Sequence, residues 1–364
     1  MMRCKSSKDI LLKGIQSVNN IITARSTLPI LSNILIEVQD NSMRLTATDL
    51  DVGISCVIPV DVQEPGAITI PAKRFNDIIK ELPSEDAQIN AKKNNLVVID
   101  ADVCQFKIMG LPREEFPKLP DFKDKEVIKL KQGGLKQLLN LTSFAVSSDE
   151  TRYILNGILI KINKNTITLV ATDGKRLAIA EKKLSQTVNK DICVIVPLKA
   201  VRELDRNLQE DGELSLILGT NQIMFELDNV TIVSRLIEGE FPDYRQVIPS
   251  PSDNKIKVDR EQLLLATKRS ALLSTPDYQA VKFEIFKNKL VISKSTPDVG
   301  ESREEVPVEY QGKELVIGFN PAYLIDVLRN LTNQCVELEI TDAEKPGVIR
   351  IDGYVYIVLP MRLS

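Results

Sequence analysis

The sequence predicts an α+β fold built three times over, each copy carrying two helices packed on antiparallel β-sheet. Three observations lead there: the chain repeats itself at about 125 residues, a proline-led helix pattern recurs in each repeat, and short alternating segments outnumber the helices. At 364 residues the chain exceeds one ordinary core, so division into domains at 1–122, 123–250 and 251–364 is expected.

The first copy opens on a helix over 7–24, where Leu11, Ile15, Val18 and Ile22 form one apolar stripe. A hairpin follows. Displaced by 124 residues, segment 31–49 (LSNILIEVQDNSMRLTATD) falls on 155–173 (LNGILIKINKNTITLVATD) without a gap, and nine of nineteen positions are identical. Next come a strand at 66–70, a helix over 70–82 and strands at 96–99 and 105–109. Glu115-Phe116-Pro117 then closes the copy, as Glu240-Phe241-Pro242 closes the second.

In the second copy the opening helix is expected at 134–144. After its hairpin come a helix over 196–208 and strands at 214–218 and 222–227. The third copy is more diverged: a weakly periodic helix over 259–272, a hairpin at 281–293, a strand at 315–319, a helix over 319–331 and strands at 336–340 and 355–359. Pro71, Pro197 and Pro321 sit at the starts of the matched helices, where a missing N–H costs nothing. About eight strands per copy, joined by hairpin-like turns, favour antiparallel sheet covered on one side by helices.

Composition narrows the chemistry. With no histidine at all, the chain lacks the commonest general base and every Ser-His or Cys-His nucleophile pair. Five scattered cysteines without C-x-x-C spacing suggest neither a disulfide framework nor a zinc site, and fit a reducing cytoplasm. No long apolar run or leader-like segment is present, so neither secretion nor membrane insertion is expected. Searches for G-x-G-x-x-G, Walker A, H-E-x-x-H and G-x-S-x-G find nothing, and no metal or cofactor is expected. Thr48-Asp49 and Thr172-Asp173 admit two readings, a carboxylate pair for metal or acid–base work or a turn in which Asp bonds its own backbone. Ser295-Thr296, which lacks the Asp, favours the turn.

Charge is unevenly placed. The six helical segments hold sixteen Lys/Arg against eight Asp/Glu, a surplus of +8 inside a net charge of −3. Basic helices can simply be solvated faces. If all six share one surface, however, that surface attracts phosphate without reading sequence.

Arg25-Ser-Thr-Leu-Pro-Ile-Leu31, Leu45-Thr-Ala-Thr-Asp49, Ala171-Thr-Asp-Gly-Lys-Arg-Leu177, Gly239-Glu-Phe-Pro-Asp-Tyr244 and Leu359-Pro-Met-Arg-Leu363 together resemble the bacterial DNA sliding clamps, β subunits of the replicative polymerase. The resemblance runs the full length, with its signatures in order. It implies a non-catalytic, cytoplasmic processivity factor: a head-to-tail homodimeric ring of three similar domains per protomer, helices lining the hole around double-stranded DNA. By the same resemblance DNA-facing residues would be Arg25, Lys73, Arg74, Lys136, Arg152, Tyr153, Lys199, Arg202 and Arg206. A groove for short peptides of the replicative polymerase, clamp loader, other polymerases and repair proteins would be lined by Leu155, Thr172, Gly174, Lys175, Arg176, Leu177, Pro242, Val247, Val358, Leu359, Pro360, Met361 and Arg362. Lys175 stands where some relatives have His. The dimer interface would join Lys73, Arg74 and Phe106 to Leu272, Leu273, Glu301, Glu304 and Glu305. The competing reading is a structural or adhesive tandem α+β repeat protein without DNA contact, for which exported, disulfide-bonded or linker-separated copies would be expected.

Overall fold

A computed structural model describes residues 1–22, 28–120, 122, 125–188 and 190–363. The first copy comprises β1 (Met2–Ser7), α1 (Lys8–Asn19), β2 (Asn33–Gln39), β3 (Ser42–Thr48), β4 (Val52–Pro59), β5 (Asp61–Glu64), β6 (Gly66–Pro71), α2 (Ala72–Glu81), β7 (Asp86–Ala91), β8 (Leu96–Ala101) and β9 (Cys104–Met109). The second runs β10 (Val127–Lys131), α3 (Gln132–Thr142), β11 (Gly157–Asn163), β12 (Thr166–Thr172), β13 (Arg176–Lys183), β14 (Ile192–Pro197), α4 (Leu198–Asn207), β15 (Glu213–Leu218), β16 (Gln222–Glu226) and β17 (Val230–Arg235). The third holds β18 (Lys255–Asp259), α5 (Arg260–Ala271), β19 (Val281–Phe286), β20 (Lys289–Thr296), β21 (Gly300–Glu309), β22 (Leu315–Phe319), α6 (Pro321–Asn330), β23 (Cys335–Glu339), β24 (Gly347–Ile351) and β25 (Tyr354–Val358).

The repeat read in the sequence is a repeat of structure. Strands β2, β3 and β4 reappear as β11, β12 and β13 with both ends displaced by 124 residues. Among the described residues the strand pairs are antiparallel and each copy carries two α-helices. Between β2 and β3, Asp40 (φ 49°) and Asn41 (φ 56°) both take left-handed backbone, which matches the twist of a two-residue hairpin and suits these two residue types.

Helix α1 starts where Ser7 Oγ accepts a hydrogen bond from the Ile10 amide at 3.4 Å. It buries Leu11, Gly14, Ile15 and Val18. It stops at Asn19, five residues short of the expected end. Asn19 and Asn20 compete for local backbone bonds, and the Ile22 amide turns back to the Asn19 carbonyl at 3.2 Å. Helix α2 packs on α1 and buries Ala72, Phe75 and Ile79, while α6 packs on α5 and buries Leu324, Val327 and Leu328. A fully buried side chain such as Phe75 is worth about 1.5–3 kcal/mol.

The chain forms two compact units: Met1–Lys136 with Lys199–Leu236, and Gln137–Leu198 with Ile237–Ser364. In the first lie a five-stranded sheet, β5-β1-β7-β8-β9, and an eight-stranded one, β10-β15-β16-β17-β4-β3-β2-β6. The second holds one twelve-stranded sheet, β14-β11-β12-β13-β25-β24-β23-β18-β21-β20-β19-β22. Strands of different copies therefore share sheets, through β4–β17 in one unit and β13–β25 in the other. Among the described residues no helix is long and apolar enough to cross a membrane.

Candidate binding groove and basic helices

Both Thr-Asp pairs are turns, each with the same hydrogen-bond circuit. In the first copy Thr48 Oγ1 accepts from the Leu50 amide and donates to the Val52 carbonyl, both at 3.0 Å, while Asp49 Oδ1 accepts from the amides of Asp51 (3.1 Å) and Val52 (2.8 Å). In the second, Thr172 Oγ1 accepts from Gly174 (3.0 Å) and donates to the Arg176 carbonyl (2.6 Å), and Asp173 Oδ1 accepts from Lys175 (2.9 Å) and Arg176 (3.0 Å). One oxygen of each carboxylate, Oδ1, is thus committed to backbone, as the turn reading requires.

The second turn forms one wall of a cavity of about 320 Å³. Its lining is Leu155, Thr172, Gly174, Lys175, Arg176, Leu177, Pro242, Asp243, Tyr244, Val247, Pro346, Ile357 and Leu359. Its floor straddles the β13–β25 seam, where Leu177 pairs with Ile357. Beneath lies a core of Leu159, Val170, Leu177, Ile179, Ile195, Val348 and Ile357, with Phe241, Tyr244 and Ile248 packed against it. A tight turn with Asp243 accepting from the Arg245 amide carries Tyr244 and Val247 to the rim.

Nine of the thirteen residues expected in a groove line this cavity, and Val358, Pro360, Met361 and Arg362 do not. Val358 is fully buried, because strand alternation turns it to the opposite face from Ile357. The Met361 amide donates to the Gly318 carbonyl of β22 at 2.8 Å, which ties the tail backbone to that strand. Asp243, Tyr244, Pro346 and Ile357 are lining residues that sequence reasoning missed. Ile357 was recoverable from the period of two in β25, and Tyr244 from its place beside Pro242.

The equivalent place in the first copy is built differently. Gly53 stands where the second copy has Leu177, and a Cβ there would lie 2.3 Å from Leu119 Cδ2. Leu119 is seated directly on that glycine and covers the surface.

Arg176 forms the polar wall, with its side chain 10% exposed. Nε donates to Asp173 Oδ2 at 3.0 Å, Nη1 to Asp326 Oδ2 at 2.6 Å and Nη2 to the Phe144 carbonyl at 2.6 Å. The ring of Tyr323 lies 4.4 Å from the guanidinium carbon. Burial opposes the charge, yet Asp326 and Asp173 outweigh it and hold the guanidinium pKa above its ordinary value.

Among the described residues the basic side chains differ in exposure and in pairing. Lys73 and Arg74 on α2 and Arg202 on α4 are exposed, as are Arg152 and Tyr153 before β11. Arg152 lies 3.7 Å from Asp149 and donates to the Asp173 carbonyl at 3.4 Å. By contrast Lys136 pairs with Glu210 at 3.1 Å, Lys199 with Asp49 and Arg206 with Glu203. Burial raises the Glu203 carboxyl pKa against the pull of Arg206 and Lys199. Arg25 lies outside the described residues.

Of the expected interface residues, Phe106 sits on β9, an outer strand of its sheet, and is 36% exposed. Leu272, at the end of α5, is 80% exposed, and Leu273 is half-buried. Glu301, Glu304 and Glu305 lie on β21, which β18 meets only at Val308 and Glu309. Glu304 is held by Arg269, which depresses its carboxyl pKa, and Glu305 lies 2.9 Å from Arg303.

Comparison with known proteins covers the whole chain. Residues 2–120 match the N-terminal domain of the DNA polymerase III beta subunit, 129–243 its central domain and 245–362 its C-terminal domain. The beta sliding clamp of Pseudomonas aeruginosa is 36% identical over 364 residues, covering 98% of each chain, and that of Escherichia coli K12 is 35% identical over 368 residues, covering all of both. Among solved structures, a Bacillus subtilis DNA polymerase sliding clamp superposes with a TM-score of 0.95 at 31% identity. A P. aeruginosa clamp bound to griselimycin does so at 0.93 and 35%; each covers 100% of both chains.

Proposed function

The chain belongs to the DNA polymerase III beta subunit family, the sliding clamps, and on that premise we propose that it acts as a non-catalytic processivity factor in the cytoplasm. The observation that carries this reading is the unbroken succession of three family domains along the chain. Two protomers would close head to tail into a ring around duplex DNA, each contributing domains 1–122, 123–250 and 251–364. Three copies per chain in a dimer approximate sixfold rotation, which lets a heterologous contact close. The interface would set Phe106, Lys73 and Arg74 against Leu272, Leu273, Glu301, Glu304 and Glu305. The open edges of β9 and of the first part of β21 support it, since unpaired strand edges seek partners.

Retention by threading needs no base recognition. Weak attraction to phosphates suffices, and tight contacts would slow sliding. Lys73, Arg74, Arg152, Tyr153 and Arg202 are the exposed candidates for that contact. Lys136, Lys199 and Arg206, paired with carboxylates, contribute diffuse charge. The apolar cavity between the Thr172 turn and β25 is the reading's docking site for short peptides of the replicative polymerase subunit, clamp loader, other polymerases and repair proteins. Its size and lining suit two or three apolar anchors.

The deciding experiment loads the protein on nicked circular DNA and then linearises it. Loss on linearisation, with a dimer at micromolar concentration in sedimentation, is the expected result. Equal retention on both forms would overturn the topological reading.

A further inference from the structure

We propose that Asp326, on α6 of the third copy, is a positioning residue for the peptide groove, acting by holding Arg176 as a flat, charge-compensated wall. The inference rests on the groove reading above and adds to it a residue outside the cavity's lining.

Arg176 has three separate anchors, and they differ in kind. Asp173 is three residues away, its other oxygen already accepting two backbone amides of the same turn. The Phe144 carbonyl takes Nη2. Asp326 is the distant one, 150 residues along the chain, and its oxygen meets Nη1 at 2.6 Å. One helical turn before it, Tyr323 lays its ring over the guanidinium face. A single helix thus supplies an in-plane carboxylate and a face-on ring. That helix is also tied to the groove floor, because the Tyr356 hydroxyl on β25, next to Ile357, donates to the Tyr323 carbonyl at 2.8 Å.

Two carboxylates around one guanidinium leave Arg176 without net positive charge to offer. Its role in the cavity is then steric and planar, while the exposed Lys175 keeps the cationic role. Removing Asp326 frees one end of the fork and uncovers part of its charge. An apolar peptide should lose affinity, and acidic residues beside its anchors should gain influence.

The test measures Kd by fluorescence anisotropy on the full-length protein. Its probe is a short labelled peptide with two leucines and one phenylalanine as anchors, with and without a flanking aspartate. Asp326→Ala and Asp326→Asn should weaken the neutral probe by roughly three- to tenfold. The aspartate-bearing probe should lose less, and Asp326→Glu should recover most of the binding. In an Arg176→Ala background, Asp326→Ala should change nothing further. Leu177→Ala separates the two claims. If it weakens the probe while Asp326→Ala and Asp326→Asn do not, Asp326 has no positioning role and the groove stands. If Leu177→Ala leaves the probe bound, the groove reading itself falls. A loss in Asp326→Ala that persists unchanged without Arg176, or that tracks a fallen Tm in both Asp326 variants, also overturns the proposal.

Discussion

Leu50, with φ 80°, occupies the point of the first copy where Gly174, with φ 85°, stands in the second. Both follow a Thr-Asp pair whose side chains close the same turn, and in the third copy Asp298 (φ 62°) takes the corresponding place. The turn imposes left-handed backbone regardless of the residue. Glycine adopts it freely, while a leucine there is strained by roughly 1–2 kcal/mol.

Leu50→Gly should therefore stabilise the protein by about 0.5–1 kcal/mol, the relief of strain less the glycine's greater unfolded freedom. Leu50 is 46% exposed, so little burial is lost. The reverse change, Gly174→Leu, adds a Cβ 2.8 Å from Arg152 Nη1 and should lower stability by more than 1 kcal/mol. Denaturant midpoints at constant m measure both, and a lower midpoint for Leu50→Gly would show the turn to be unstrained.

DNA contact should depend more on exposed cations than on paired ones. Arg202→Gln should reduce the slope of log K against log salt by about 1, and Lys199→Gln by well under 1, because Arg202 is exposed while Lys199 already faces Asp49 and the Ile21 carbonyl. Titrations over a range of salt concentrations check this. Equal slopes for the two variants would mean that the Asp49 pair opens on DNA.

Cysteine chemistry should follow burial. Cys193 and Cys335 are exposed and should react with maleimide at pH 8; Cys4 and Cys56 are buried and should not until the protein unfolds. Burial, with Asp61 nearby, pushes the Cys4 thiol from 9.0 up to about 12. Below pH 9 both states keep the proton. Between about 9 and 12 the unfolded chain releases it while the folded chain holds it, so stability falls as pH rises, by up to about 1.4 kcal/mol per pH unit for this group. Urea unfolding from pH 8 to 10.5 would reveal a flat curve if the thiol were solvated.

Within the groove, Leu177→Ala should weaken an apolar peptide tenfold or more, since Leu177 is buried and forms the floor. Met361→Ala should change binding less than about twofold, because Met361 is not among the residues that line the cavity. A larger effect of Met361 would mean that the tail rearranges around the ligand.

Much of this architecture was legible from the chain. The 124-residue displacement places β2 to β4 on β11 to β13, because two copies with the same apolar alternation must adopt the same register. Helix α2 was evident from Phe75 and Ile79, one turn apart and both facing inward. What could not be read was the pairing between copies. No residue of β4 announces β17 as its neighbour, and the carboxylates Asp326 and Asp49, partners of Arg176 and Lys199, each lie 150 residues away. Of the four expected groove residues that do not line the cavity, Val358 follows the strand alternation of β25, and Pro360, Met361 and Arg362 lie in the tail beyond it. A tail segment without periodicity, from Leu359 onward, gives no sign of which side chains turn towards Lys175 and which towards β22.

The seam between β13 and β25 makes the groove a vessel with a rigid floor and a soft lip. Five consecutive residue pairs, from Arg176 with Val358 to Ala180 with Tyr354, fix the distance across which Leu177 faces Ile357. Adjacent strands stay about 4.8 Å apart, so widening the floor means unzipping the seam. The opposite rim is a short turn of Pro242, Asp243, Tyr244 and Val247, held by a few local bonds. On the proposed reading, a bound segment would enter and leave over that rim, and its residence time would be set there.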